Sequence, residues 1–204
     1  MILFSEQFVD SIRSAVMAAL LTQYFNIAFL MAKPQDLPAG SNQLTIALSL
    51  SFTSYVLASL THYGFAQSVG TAFVDLALSG LLIYVALVAL GRTERFYQAY
   101  GALAGAGAVL NTAAIPLFLV RSEEQASLTA GLADFVLLVW SLSLLAHVIR
   151  HTFEVRMLFS VVLAFCYFLF VVSLLSTLWP PDVTFESDEL SNFQSLGYRW
   201  WESV

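Results

Sequence analysis

The stretch "MLFSVVLAFCYFLFVVSLLSTLW", residues 157–179, contains no charged residue and decides the fold class. A transmembrane helix needs about 20 mostly apolar residues to cross a hydrocarbon layer about 30 Å thick. Backbone groups in lipid must find their hydrogen-bond partners within the protein, and a helix provides them inside one segment. We therefore interpret this stretch as a membrane-spanning helix.

The rest of the chain has a similar composition. Of its 204 residues, 59% are hydrophobic and 11% are charged, and the mean hydropathy is +0.79. Soluble domains carry about 25% charged residues, so the composition argues against an ordinary soluble domain. The net charge of −6 argues against nucleic acid or an anionic lipid surface as a partner. We expect the lipid bilayer itself to be the main surroundings of the chain.

Five further apolar segments precede residues 157–179. They lie at about residues 15–32, 44–62, 70–90, 98–120 and 127–149. Polar connectors separate them, and Pro34 and Pro38 make the first connector a firm break. The first segment contains Gln23 and Asn26, so an amphipathic helix lying at the interface is the alternative to a span. The sequence thus predicts an all-α, polytopic transmembrane helical bundle with five or six spans.

Basic residues in short connectors predict the orientation of such a bundle. With six spans, one side holds Lys33, Arg92, Arg95, Arg150 and Arg156, five of the eight basic residues. We expect this side to be cytoplasmic, in a bacterial inner membrane.

This interpretation divides the chain into three parts. Residues 1–43 form a first span or membrane-associated helix with a proline-containing loop, and residues 44–179 form a five-helix bundle. Residues 180–204 form an acidic, aromatic tail, which we expect to be extracytoplasmic. In this tail Tyr198, Trp200 and Trp201 suit the headgroup layer as interfacial anchors.

The stretch "HVIRHTFEVR", residues 147–156, offers two interpretations. His147, His151 and Glu154 share one face of a helix and form a weak zinc-site candidate. The favoured alternative is an interfacial helix end, where Arg150 and His151 complement the helix dipole and Arg150 pairs with Glu154 four residues on. The sequence therefore predicts no metal and no cofactor.

Two carboxylates fall inside predicted spans. A charge in hydrocarbon costs about 2.5–3.5 kcal/mol on insertion scales, so Asp75 and Asp134 need an explanation. Both are predicted roughly 8–10 Å below the outer face, at 1.5 Å per helical residue. Thr71 and Ser79 share a helix face with Asp75, and Asn111 lies deeper in the next segment. These polar groups either exchange a proton or cation or serve only to satisfy one another structurally.

The fourth segment is rich in small residues. "GALAGAGAVLN" places Gly101 and Gly105 in a GxxxG pattern, with Gly107 beside them. Small residues allow helix backbones to approach closely. This helix is therefore predicted at the centre of the bundle or at a dimer face.

From about residue 44 to 179 the layout resembles the Yip1 family of small polytopic membrane proteins. The resemblance rests on "LGRTERFYQAYGALAGAGAVLNTAAIPLFL" and on "ADFVLLVWSLSLLAHVIRHTFEVRMLFSVVLAF". In each, a short polar turn lies beside a characteristic helix: a small-residue helix ending near a proline in the first, a Trp-bearing helix in the second. The family implies five spans, a cytoplasmic N-terminus and an external C-terminus. It assigns no functional residue here.

Three functional hypotheses follow. The first is a non-enzymatic adaptor, assembly factor or membrane-organising component that acts through helix–helix contacts with another membrane protein or with itself. The second is a small-solute, proton or cation transporter, or a channel component, that uses Asp75 and Asp134. The least favoured is a membrane metalloenzyme.

Overall fold

The computed structural model of the chain describes residues 2–61, 63–119 and 128–179, and all regular structure within them is helical. The helices are α1 Ile2–Ala28, α2 Ser41–Ser59, α3 Phe65–Ala89, α4 Phe96–Leu119, α5 Leu128–Phe153 and α6 Met157–Leu178. The all-α class is therefore confirmed. The predicted tail, with Tyr198, Trp200 and Trp201, lies outside the described residues.

The chain divides into two compact units, Met1–Val172 and Ser173–Val204. The first unit contains helices α1 to α5 and most of α6, and all the packing described below belongs to it. In the second unit, the structure describes the last turns of α6 up to Leu178.

Four helical stretches are long and apolar enough to cross a membrane. They are Phe65–Ala89, Thr93–Leu117, Gly131–Phe153 and Met157–Leu178. Helices α1 and α2 do not meet the same standard, because α1 carries charged residues in its first half and α2 contains five serines. A membrane protein built as a helical bundle is thus confirmed with four candidate spans.

Helix α4 lies at the centre of the bundle. It contacts α1, α2, α3 and α5, and half of its most apolar 18-residue stretch is buried inside the bundle. A Cβ atom at Gly101 would overlap the side-chain amide of Gln43, and a Cβ at Gly105 would overlap the ring of Tyr24. The GxxxG pair therefore receives side chains from α1 and α2 and does not face a second copy, whereas Gly107 has only an ordinary contact nearby.

Three connectors meet at one end of the bundle, which we call the connector end: residues 29–40, 90–95 and 154–156. The residues that follow α1, α3 and α5 there have left-handed backbones, with φ values of 62° at Leu30, 66° at Gly91 and 56° at Glu154. This conformation ends each helix and turns the chain aside. The five basic residues predicted to share one side all lie at or next to these connectors.

Candidate functional site

A group of polar side chains within the bundle surrounds Asp75 on α3, and we call it the interior cluster. Its members are Tyr55 from α2, Thr71, Asp75 and Ser79 from α3, Tyr100 from α4 and Tyr167 from α6. Each of the three tyrosines interacts electrostatically with Asp75. Polar groups of four helices therefore lie in the neighbourhood of one carboxyl group.

Several hydroxyl groups of the interior cluster donate to helix backbone. Thr71 Oγ1 donates to the carbonyl of Gln67 at 2.9 Å, with the carbonyl of Ser68 at 3.1 Å. Ser79 Oγ donates to the carbonyl of Leu76 at 3.1 Å, and the Tyr100 hydroxyl donates to the same carbonyl. A hydroxyl has one hydrogen, so these three are already used. Their oxygen lone pairs are left as acceptors.

The carboxyl group of Asp75 has no such hydrogen bond within the described residues. Within residues 2–61, 63–119 and 128–179, no hydrogen bond or ion pair to it is found, and the residue is partly buried. The Tyr167 hydroxyl is also buried without a hydrogen-bond partner in the same part of the chain. Two polar groups of the interior cluster therefore remain unpartnered.

Asp75 lies deeper in its helix than the sequence indicated. Because α3 begins at Phe65, five residues before the predicted boundary, Asp75 is ten residues into the helix, or about 15 Å. The depth of 8–10 Å below the outer face was counted from residue 70, and it stays a prediction. The sequence "FAQS" is polar enough to look like a connector, yet these residues continue the helix.

The other polar candidates lie away from the interior cluster. Asp134 is partly buried six residues into α5, and it is not among the groups that influence Asp75. Asn111 is partly buried on α4, eleven residues beyond Tyr100. Of the predicted intramembrane residues, the structure brings together Thr71, Asp75 and Ser79 only.

Side chains of α4 and α5 hold the irregular segment between α1 and α2. Trp140 Nε1 donates to the carbonyl of Ala28 at 2.7 Å, and His147 Nε2 lies 2.9 Å from the carbonyl of Ala32. Gln98 Nε2 donates to two carbonyls of the segment, at 3.2 Å and 2.7 Å. Non-helical backbone is tolerated at membrane depth where protein groups satisfy it. These contacts provide hydrogen-bond partners for the backbone carbonyls of this part of the chain.

The three residues of the weak zinc candidate have other roles. The rings of His147 and His151 contact each other in a tilted arrangement with centroids 4.5 Å apart, but Glu154 turns away to Arg92 at 2.8 Å and Arg95 at 2.7 Å. No group of three metal-binding side chains occurs in the part of the chain that the structure describes.

The predicted pairing of Arg150 with Glu154 is also wrong. Helix α5 ends at Phe153, and the left-handed backbone of Glu154 removes the i, i+4 geometry. Arg150 is exposed at the end of the helix, and His151 beside it is partly buried. Hydrogen bonds from Arg95 and then from Arg92 lower the pKa of Glu154 below its usual value.

Sequence reasoning missed the three tyrosines of the interior cluster and Gln98. Tyr55, Tyr100 and Tyr167 lie inside or at the start of apolar segments, where a buried phenol usually needs a polar partner. That rule could have marked them as candidates. The helix that each one faces depends on the packing.

Comparison with known proteins found no match: no protein-family model, curated protein or solved structure is similar to this chain. The function is therefore inferred from the interior cluster and the connector end alone.

Proposed function

We propose that the protein is a non-enzymatic integral membrane protein that transports a small solute, a proton or a cation, or forms part of a channel. The observation that carries this proposal is the interior cluster, in which tyrosines of three other helices lie near Asp75 and no basic residue in the described part of the chain pairs with it. Ionisable residues inside membranes are costly and commonly mark ion or proton pathways. Asp134, the second predicted carboxylate, is a separate group on α5.

The proposed topology has five or six spans in a bacterial inner membrane, with the connector end in the cytoplasm and residues 180–204 outside. The concentration of basic residues at the connector end supports this orientation. Helix α2 has 19 residues, about 28 Å, and it packs along the central helix α4. That length and position suit a span whose polar side chains face protein.

Flux through proteoliposomes tests the proposal. Proton flux is measured with an entrapped pH-sensitive dye and sodium flux with radioactive sodium, each under an imposed membrane potential. We expect Asp75→Asn to lower the flux at least tenfold, because it removes the only carboxyl group of the interior cluster. Glu154→Gln is the matched control, since it neutralises a carboxylate at the connector end.

Asp134→Asn tests whether the second carboxylate contributes. Because Asp134 does not influence Asp75, we expect its replacement to leave the flux close to that of the native protein. Equal proton and sodium fluxes in the native protein and in Asp75→Asn would contradict the transport function.

The second candidate is an adaptor, assembly factor or membrane-organising component, in line with the Yip1-like layout. Helix α6 favours this second candidate. It is the most apolar of the four candidate spans, and 17% of its most apolar 18-residue stretch is buried in the bundle. Most of its large apolar side chains face outward and are available to lipid or to a partner helix. The GxxxG pair of α4 cannot serve this contact, because Gln43 and Tyr24 occupy it.

Affinity purification in mild detergent, with mass spectrometry of the copurifying proteins, tests the second candidate. A stoichiometric membrane partner, or a stable oligomer of the chain itself, would support it. A monomer without any partner would contradict it.

A further inference from the structure

We infer that the connector end binds the phosphate headgroup of an anionic phospholipid through Arg92 and Arg95, which we call the arginine pair. This site goes beyond the proposed transport function, because neither arginine belongs to the interior cluster. The inference depends on how the arginine pair is held, on the charge and donors that it leaves unused, and on the apolar side chains beside it.

One carboxylate holds both guanidinium groups of the arginine pair. Arg92 Nη1 lies 2.8 Å from Glu154 Oε2, and Arg95 Nη1 donates to Glu154 Oε1 at 2.7 Å. Glu154 has a left-handed backbone, with φ at 56°, which is uncommon for a residue other than glycine and persists where the surrounding structure imposes it. The two arginines are thus brought together before a ligand arrives, which lowers the cost of ordering them on binding.

The arginine pair retains charge and donors for a further anion. Because two guanidinium groups share one carboxylate, one positive charge is left over. A guanidinium group has five N–H donors in a planar fork that matches a phosphate group. Within residues 2–61, 63–119 and 128–179, Glu154 is the only hydrogen-bond or ion-pair partner of these two side chains. The side chains are 34% and 30% exposed, so an anion can reach them.

The balance of charge at the connector end is positive, although the net charge of the whole chain is −6. Five basic residues lie at or next to its connectors, against three acidic residues, which are Asp36, Glu94 and Glu154. Glu94 is exposed and forms no ion pair in the described part of the chain, so it does not neutralise the arginine pair directly. Basic pockets beside membrane helices bind the headgroups of anionic lipids. The charge at this end therefore complements an anionic headgroup.

Exposed apolar side chains adjoin the arginine pair along the chain. Leu90 lies two residues before Arg92, and Met157 and Leu158 closely follow Glu154; all three are exposed. Leu90 caps the end of α3 and Met157 begins α6, and both helices are candidate spans. Cationic groups thus lie where two apolar helices end. A phospholipid matches both surfaces with its phosphate and its acyl chains, whereas a free phosphate matches the first alone.

Native mass spectrometry of the full chain, released from a mild detergent, tests this inference with phosphatidylglycerol and phosphatidylcholine. Both lipids contain a phosphate, but the choline group of the second neutralises its charge. We expect one phosphatidylglycerol to bind about tenfold more tightly than phosphatidylcholine, which is the order of effect of one hydrogen bond to a charged group. Equal affinity for the two lipids would overturn the inference.

Single substitutions locate the binding at the arginine pair. Arg92→Gln and Arg95→Gln should each lower the affinity for phosphatidylglycerol about tenfold. Arg150→Gln is the matched control, because it removes the same charge from the same end and Arg150 is exposed without an ion pair in the described residues. An equal loss of affinity in Arg150→Gln would assign the attraction to overall charge and would overturn the site.

A second variant guards against a folding defect. The ion pairs with Glu154 are largely exposed, so their loss should leave the protein folded, which size-exclusion chromatography checks. Arg95→Lys keeps the charge but loses the planar fork. It should bind phosphatidylglycerol more weakly than the native protein and more tightly than Arg95→Gln. An affinity of Arg95→Lys equal to that of the native protein would contradict recognition by the guanidinium group.

Inorganic phosphate distinguishes a lipid from a soluble ligand. Added in large excess to the complex with phosphatidylglycerol, it should leave the lipid bound, because it has no acyl chains to contact the exposed apolar side chains. Release of the lipid by inorganic phosphate would assign the arginine pair to a free phosphate and overturn the lipid assignment.

Discussion

Asp75 and Glu154 are two carboxylates of the same bundle in opposite surroundings. Glu154 at the connector end is paired with Arg92 and Arg95, and half of its side chain is exposed. Asp75 in the interior cluster is partly buried, and no ion pair reaches it in the described part of the chain. The connector end thus supplies counter-charges to its carboxylate, whereas the described residues of the interior cluster supply none to Asp75.

The same contrast applies to the uncharged polar groups. At the connector end, Gln98 and His147 satisfy backbone carbonyls of the segment between α1 and α2, and Trp140 satisfies the carbonyl of Ala28 at the end of α1. In the interior cluster, hydroxyl groups satisfy helix carbonyls that already accept a backbone bond, and Asp75 is left over. The first region therefore stabilises the fold, whereas the second leaves one carboxyl group without a hydrogen-bond partner among the described residues.

The largest expected effect on stability comes from Gly80→Ala. A Cβ at Gly80 would lie 2.8 Å from Cζ of the buried Tyr100 ring, so the ring, whose hydroxyl donates to the Leu76 carbonyl, must shift. Overpacking of this kind costs about 1–3 kcal/mol in the free energy of unfolding. Thermal unfolding in detergent should show the loss. Gly131→Ala is the control, because no atom of the described residues lies within 4 Å of its Cβ and alanine favours a helix.

The next effect concerns the connector end. Gln98→Ala removes the donor to the carbonyls of Gln35 and Leu37, which are partly buried. Leaving such groups unsatisfied costs about 1–2 kcal/mol, and we expect faster hydrogen exchange around residues 34–37. Gln67→Ala is the matched control, since no side-chain hydrogen bond of Gln67 occurs in the described part of α3. Equal stability of the two variants would contradict the clamping role of Gln98.

A third pair of variants compares two tyrosines of the interior cluster. Tyr100→Phe removes the bond to the Leu76 carbonyl and should lower stability by about 1 kcal/mol. Tyr167→Phe removes a buried hydroxyl that lacks a partner among the described residues, so its stability should be unchanged or slightly higher. Both are measured by chemical unfolding. A larger loss for Tyr167→Phe would show that its hydroxyl is a structural donor.

The smallest effect is the pH dependence of the connector end. The two arginines lower the pKa of Glu154 below the usual 4.5, so the pair stabilises the folded protein above that pH. Its contribution should be lost as the pH falls through the lowered pKa, and Glu154→Gln should lack this part of the acid dependence. Because the pair is largely exposed, the change in unfolding temperature should be small and should shrink in high salt.

The helices could largely be predicted from the sequence, because apolar length is a local property. Residues 157–179 were predicted for α6, which ends at Leu178, and 98–120 for α4, which covers Phe96–Leu119. The observed helix boundaries differ from the predicted ones where the flanking residues are weakly polar. Helix α5 continues to Phe153, past the predicted end at residue 149. It can do so because the side chains of "HVIRHTF" either pack against other parts of the protein or face water at the end of the helix.

The candidate site could be predicted only in part. Asp75 was found because a carboxylate in an apolar run is costly wherever its helix packs. Its tyrosine partners come from three other helices, and the apolar runs that carry them do not specify which faces meet. The GxxxG pair shows the same limit, since spacing predicts close approach but not the side chains of Gln43 and Tyr24 that fill it.

Composition and apolar segment length, read from the sequence alone, determined that this is a helical membrane protein whose Asp75 requires an explanation. The tertiary structure alone decided that Asp75 lies among Tyr55, Tyr100 and Tyr167, and that Glu154 pairs with Arg92 and Arg95. The physical reason is that lipid selects helices one segment at a time, whereas the surroundings of a carboxylate are set by residues far apart in the chain.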